Sequence, residues 1–263
     1  MQVGNQPMGI TPKPDRFVGG VTRMPRIRFT GLAAIFLLLT GCQTARMQVD
    51  PSLANVPPIP VERTSLRKWN DPVRFGQWHT TSVEEGWIQG KSLELRDASK
   101  EKEILTYSKL TQPYHFVMPT LSGAIDGQCF ARAKTLSREG LEVDVAALRS
   151  IPPLRCTYTG AGEGALELQT RRTLKGGLAG EMLSGGDRWQ VDSIFRIEGA
   201  SFDSGDTVGY EIRRSSELIG AVEVINHGRV WISPALTQPE QDRVAAIATA
   251  LLLYRPLERR DES

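Results

Sequence analysis

The chain has 263 residues, 40% of them hydrophobic and 24% charged, and a formal net charge of +2 at neutral pH. Lys13, Arg16, Arg23, Arg26 and Arg28 against Asp15 place a net +4 in the first 41 residues, which leaves −2 for the other 222. Past its leader the chain is therefore mildly acidic, which excludes a nucleic-acid binder built on clustered cations that neutralise phosphates, and its length suits one domain with a tail.

Residues 1–23 carry the pattern of neither a signal nor a fold and read as an over-extended N-terminus. From Met24 the chain runs Met-Pro-Arg-Ile-Arg-Phe-Thr, two positive charges with no acid, into the apolar stretch 31–39. That is a basic n-region followed by a short h-region, so 24–41 is expected to be a signal peptide. The stretch falls far short of the about 20 apolar residues that cross a hydrocarbon core. It closes on Leu39-Thr40-Gly41-Cys42, which resembles the lipobox of bacterial lipoproteins.

The resemblance implies cleavage before Cys42, a diacylglycerol on its thiol and a third chain on the new amino terminus. Each buried CH₂ contributes about 0.8 kcal/mol, so several chains make the attachment stable. Gln43 stands where an aspartate would retain such a protein in the inner membrane, which implies the periplasmic side of the outer membrane in a Gram-negative cell. An ordinary secreted protein with an incidental Cys42 is the alternative.

Residues 42–68 hold Pro51, Pro57, Pro58 and Pro60 among scattered charges. They are expected to form a lipidated, extended linker, reaching roughly 80 Å at about 3.1 Å per residue. A β-rich domain is expected over 69–257. Alternating runs mark strands at 73–80, 104–110, 124–136, 154–159, 165–172, 188–198, 208–213, 217–225 and 229–233, punctuated by turns such as Gly185-Gly186-Asp187 and Asn226-His227-Gly228. Short strands so spaced predict a mainly β fold, an antiparallel barrel or sandwich. The clearest alternation sets Trp189, Val191, Ser193, Phe195 and Ile197 against Gln190, Asp192, Arg196 and Glu198.

With Cys42 committed to lipid, Cys129 and Cys156 form an even pair in an oxidising compartment, and a disulfide is expected. Alternation places both thiols on apolar faces, with Ile125 and Ala131 beside one and Leu154 and Tyr158 beside the other. Two buried free thiols and a redox-active pair are the alternatives, although no Cys-x-x-Cys spacing favours redox work.

Thr237-Gln238-Pro239-Glu240 has capping-box spacing and precedes the apolar run 244–254, with Pro256 beyond. The spacing predicts one helix over about 238–254. Its second half is apolar on every side and is expected to be buried, and 258–263 is a polar tail. Strands followed by one apolar C-terminal helix resemble the tubby C-terminal, phospholipid scramblase and LURP-one-related group. The likeness rests on Tyr210-Glu211-Ile212, Ile219-Gly220-Ala221-Val222, Val230-Trp231-Ile232 and the helix. It implies a barrel closed around that helix, and no binding residue of the group carries over to this chain.

Signatures of catalysis are missing from the sequence. Gly199-Ala200-Ser201-Phe202-Asp203 lacks the closing glycine of a nucleophile elbow. His79, His115 and His227 have no paired-ligand spacing, and Gly160-Ala161-Gly162-Glu163-Gly164 lacks the lysine and helix of a phosphate loop. Asp203 and Asp206 flank Ser204-Gly205, which is turn chemistry first. Trp69, Trp78, Trp87, Trp189 and Trp231 divide between core or rim and a ligand surface. No catalytic residue, metal or cofactor is expected. The expected function is that of a non-enzymatic envelope lipoprotein, a membrane-tethered periplasmic binding or structural module whose partner is an envelope protein, a lipid or the cell wall. The alternatives are a hollow β-barrel that carries a lipid or acyl chain, and an envelope enzyme without a linear motif.

Overall fold

A computed structural model describes residues 44–63, 71–96, 104–138, 141–144, 152–170 and 177–257. Cys42, residues 24–41 expected as a signal peptide, Trp69 and the tail 258–263 lie outside them. All the described residues fall within one unit, which begins at Thr44.

Three two-residue strands come first, β1 (Ile59–Pro60), β2 (Arg74–Phe75) and β3 (Trp78–His79), followed by β4 (Ser82–Glu85) and β5 (Gln89–Arg96). A long hairpin of β6 (Ile104–Thr120) and β7 (Gly123–Arg138) leads to the short β8 (Leu141–Asp144). From β9 (Leu154–Gly160) the chain meanders through β10 (Gly164–Thr170), β11 (Leu178–Ser184), β12 (Asp187–Ile194), β13 (Gly209–Arg214), β14 (Glu217–Glu223) and β15 (Arg229–Ile232), and it ends in α1 (Gln238–Leu253). The fold is mainly β with one C-terminal helix, as the patterning predicts. Every pairing is antiparallel, and one sheet runs in the order β1-β15-β14-β13-β12-β11-β10-β9-β7-β6-β4.

β6 and β7, at 17 and 16 residues, are about three times the usual strand length, and each has one edge divided between two partners. β4 covers residues 114–117 of β6 while β5 covers 104–111. β9 covers residues 125–131 of β7 while β8 covers 135–138. The hairpin therefore has a body half, continuous with the large sheet, and an arm half flanked by β5 and β8. None of the arm's described side chains joins the hydrophobic core.

The core sits between the inner face of the sheet and α1. Val244, Ala245, Ala246, Ile247, Ala248, Ala250 and Leu251 of the helix are buried along with Phe116, Met118, Ile125, Leu154, Leu166, Leu168 and Val191 of the strands. Tyr114 of β6 and Gly220 of β14 both touch this helix. In the strand order β15 and β6 are eight steps apart, about 38 Å if flat at roughly 4.8 Å per step, and α1 contacts both ends of that span. A helix is only about 10–12 Å wide, so the sheet must curl around it. Glu240 makes the predicted N-terminal cap, its carboxylate accepting from the Thr237 N–H and hydroxyl at 2.8 Å each. At the other end, the Arg63 guanidinium donates to the Leu252 carbonyl at 2.6 Å, one of the acceptors a helix C-terminus leaves open.

Within 42–68, where an extended linker is expected, residues 44–63 lie against the sheet. Met47 pairs with Ile197, its N–H donates to Glu223 at 2.8 Å, and its side chain is 1% exposed. Gly209 opposite makes the room, because a Cβ there would stand 2.0 Å from Met47 Sδ. Leu53, in a 3-10 turn over Pro51–Leu53, and Val61 are buried too, and Ile59 and Pro60 pair with β15. Enough apolar side chains punctuate this stretch to make docking favourable, and its prolines occupy the positions that tolerate them, the start of a 3-10 turn and the edge of a sheet.

Met47→Ala is expected to lower the unfolding free energy by roughly 2–5 kcal/mol, as for other buried methionines. Guanidinium denaturation reads this directly, and an unchanged midpoint would mean that the segment is a spacer after all.

Candidate functional site

The inner face offers no open site among the described residues, since the helix and strand side chains meet there. Two of its polar groups tie the helix to its surroundings. Asp242, 0% exposed on α1, accepts from Trp78 Nε1 and Gln238 Nε2 at 2.8 Å each and from the Ser122 N–H at 3.3 Å. Burial pushes this carboxyl up, but hydrogen bonds from Trp78, Ser122, Thr120 and Gln238 outweigh it and hold the acid below its ordinary value. Tyr114 donates to the Ala250 carbonyl at 3.0 Å, and burial raises its phenol, like those of Tyr158 and Tyr210, so all three stay protonated. Of the three, Tyr114 braces the helix.

Cys129 and Cys156 are direct register partners on β7 and β9, and their sulfurs are bonded as expected. Both are buried beside Tyr114, whose hydroxyl lies 3.9 Å from Cys156 Sγ. The bond pins the body half of the long hairpin to the start of the meander.

The three histidines separate. His115 stands 3.0 Å from Asp126 across β6 and β7, a half-buried pair on the outer face. His79 and His227 line one concavity of about 460 Å³ with Glu62, Arg63 and Arg74. The fold thus joins two of them, which no sequence spacing foretold. No set of three or more His, Cys, Asp and Glu side chains converges to hold a metal among the described residues. Asp203 pairs with Arg196, and Ser204 Oγ accepts from the Asp206 N–H, as in a turn. The Gly160 run is the β9–β10 hairpin turn, where a Cβ on Gly160 would stand 2.2 Å from the Ala124 carbonyl oxygen. Trp78, Trp189 and Trp231 are buried, while Trp87 is 91% exposed.

The outer face of the arm carries the feature that sequence reading missed. Register sets Lys91 of β5 opposite Lys109 of β6, and Lys109 opposite Lys134 of β7. One row away, Gln89, Thr111 and Arg132 stand opposite one another on the same three strands. The two rows line a concavity of about 520 Å³ whose lining includes no acid. Phe130 lies at its side, with the Arg132 guanidinium 5.7 Å above the ring. Lys134 is 8% exposed, and none of the four cations has a carboxylate partner among the described residues. Like charges directly opposite on neighbouring strands are destabilising. Among the described residues, positive charge is concentrated here without a facing acid, and an anion is what such a surface can hold.

Two stability tests follow. Reduction, or the Cys129→Ala/Cys156→Ala double variant, should cost about 3–4 kcal/mol on the chain-entropy estimate for a bridge spanning 27 residues, read as a lower denaturation midpoint. Because the folded pKa of Asp242 lies below its unfolded value of about 3.9, its contribution is complete above that value and is lost as pH falls through the folded pKa. Asp242→Asn should therefore be less stable than wild type at neutral pH, with the gap closing below about pH 4 in pH-dependent urea unfolding. Comparison with protein-family models, with curated proteins and with solved structures gives no match for this chain.

Proposed function

We propose that this chain is a lipid-tethered module of the bacterial envelope that acts by binding, not by catalysis, and that its working face lies outside the sheet. The observation that carries the reading is the arm concavity, where Lys91, Lys109, Arg132 and Lys134 gather without a carboxylate partner among the described residues. The lipobox ending at Cys42 supports the tether, and Gln43 supports the periplasmic side of an outer membrane. A barrel that carries a lipid or acyl chain inside needs empty apolar volume where Ala246, Ile247, Ala250 and Leu251 stand, each at most 1% exposed. The packed helix therefore favours external binding over internal carriage. The docked Met47 also shortens the tether, since five residue steps from Cys42 extend to only about 17 Å.

Palmitate labelling with membrane fractionation tests the anchor: wild type is expected to label and sediment with membranes, and Cys42→Ala to do neither. Label retained by the variant would overturn the anchor. Robust turnover of an envelope substrate by the purified chain would overturn the non-catalytic reading.

A further inference from the structure

The basic concavity does not stand alone on its face. Seven large hydrophobic side chains are exposed among the described residues; three of them, Trp87, Ile88 and Leu93, belong to the arm or its entry, and a fourth, Phe130, lies beside the basic rows at the end of the body half. Trp87 and Ile88 immediately precede Gln89, the first residue of the basic rows. Leu93 lies opposite Tyr107, and Tyr107 opposite Leu136, forming an apolar row directly beside the row of Lys91, Lys109 and Lys134. Rows on one face repeat every second residue, so apolar and cationic side chains alternate at roughly 6.7 Å. Trp, exposed aliphatic groups and lysines in one patch are the composition of a surface that meets a membrane interface, where indoles settle at headgroup level and cations attract anionic lipid.

We propose that the outer face of the β5–β6–β7 arm docks on an anionic phospholipid surface. The phosphate of a headgroup sits among Lys91, Lys109, Arg132 and Lys134, the Gln89 amide and Thr111 hydroxyl hydrogen-bond its remaining oxygens, and Trp87 and Leu93 enter the interface beside it. Three observations select lipid over a soluble anion or an acidic protein. The exposed apolar groups are concentrated at the cations, a soluble anion would leave them unused, and the short tether keeps this unit near a bilayer. The proposal rests on the tethered-module reading only for that last point.

The test uses the chain acylated at Cys42 and cleaved before it, in vesicles of phosphatidylglycerol or phosphatidylcholine with brominated acyl chains, which quench indoles at the interface. The Trp87 signal is the difference between wild type and Trp87→Phe. It should be quenched in phosphatidylglycerol at least about tenfold more than in phosphatidylcholine, and the quench should fall at high salt, as electrostatic attraction at a surface requires. Lys91→Glu and Lys109→Glu, both at exposed positions, should abolish it, while Lys109→Arg should retain it. Equal quenching in the two lipids, indifference to Lys109→Glu, or inorganic phosphate competing as well as the vesicles would overturn the proposal. So would an arm that crosslinks to an acidic envelope protein while Trp87 stays unquenched. A chain that floats with vesicles through its anchor but leaves Trp87 unquenched refutes the lipid site and spares the anchor. A chain without acylation whose Trp87 is quenched by added vesicles does the reverse.

Discussion

A helix that is apolar on every side has to be enclosed, and the rest of this fold follows from enclosing it. No single flat face can bury α1, whose residues from Val244 to Leu253 are nearly all shielded from water. A helix satisfies its own backbone hydrogen bonds, so it can stand among side chains without strand partners. The sheet, in turn, has to curl until both of its flanks reach the helix. Polar groups are admitted only where they close that arrangement. Asp242 ties the helix to Trp78 and to the β6–β7 turn, Tyr114 reaches the Ala250 carbonyl, and Arg63 covers the Leu252 carbonyl. Removing one partner from such a set leaves a buried group unsatisfied, which costs more than the bond itself contributes.

The unusual length of β6 and β7 separates stability from binding. Their body half is held by the core and by the Cys129–Cys156 bond. No described side chain of their arm half joins the hydrophobic core, so its outer face can concentrate like charge and exposed apolar groups that a core strand would exclude. The electrostatic strain of the lysine row is tolerable because the strands beneath it continue into a rigid body. This is the usual division between a scaffold and the surface mounted on it.

Local pattern and non-local register divide what the chain discloses. Helix α1 was legible almost to the residue, because capping residues, apolar content and a terminal proline are local signals. The Cys129–Cys156 bond was legible because alternation and cysteine parity agree. The strand of Trp189 and Val191 was legible, although it ends at Ile194 and Ile197 goes instead to Met47. Strands β1, β4, β5, β8 and β11 were missed. β5 alternates lysine, leucine and glutamate without a buried face, and β11 places Gly180 where a Cβ would strike the Glu167 carbonyl, so neither resembles a half-buried strand. The docked segment at Met47 was hidden by its prolines. The lysine row was unreadable for another reason: Lys91, Lys109 and Lys134 lie 18 and 25 residues apart, and only the register of three strands makes them neighbours.

The seating of Met47 has a mechanical consequence. Any tension arriving along the chain from residues before it meets the fold at a definite point, where the Met47 backbone is bonded to Glu223 and paired with Ile197. Glu223 is in turn clamped by Arg229 at 2.6 Å, and both residues belong to the strands against which α1 packs. A pull is therefore spread into two strands before it reaches the two-residue contact of β1, which would otherwise unzip one hydrogen bond at a time. The first few residues of the folded unit act as a strain relief, like the collar where a cable enters its housing.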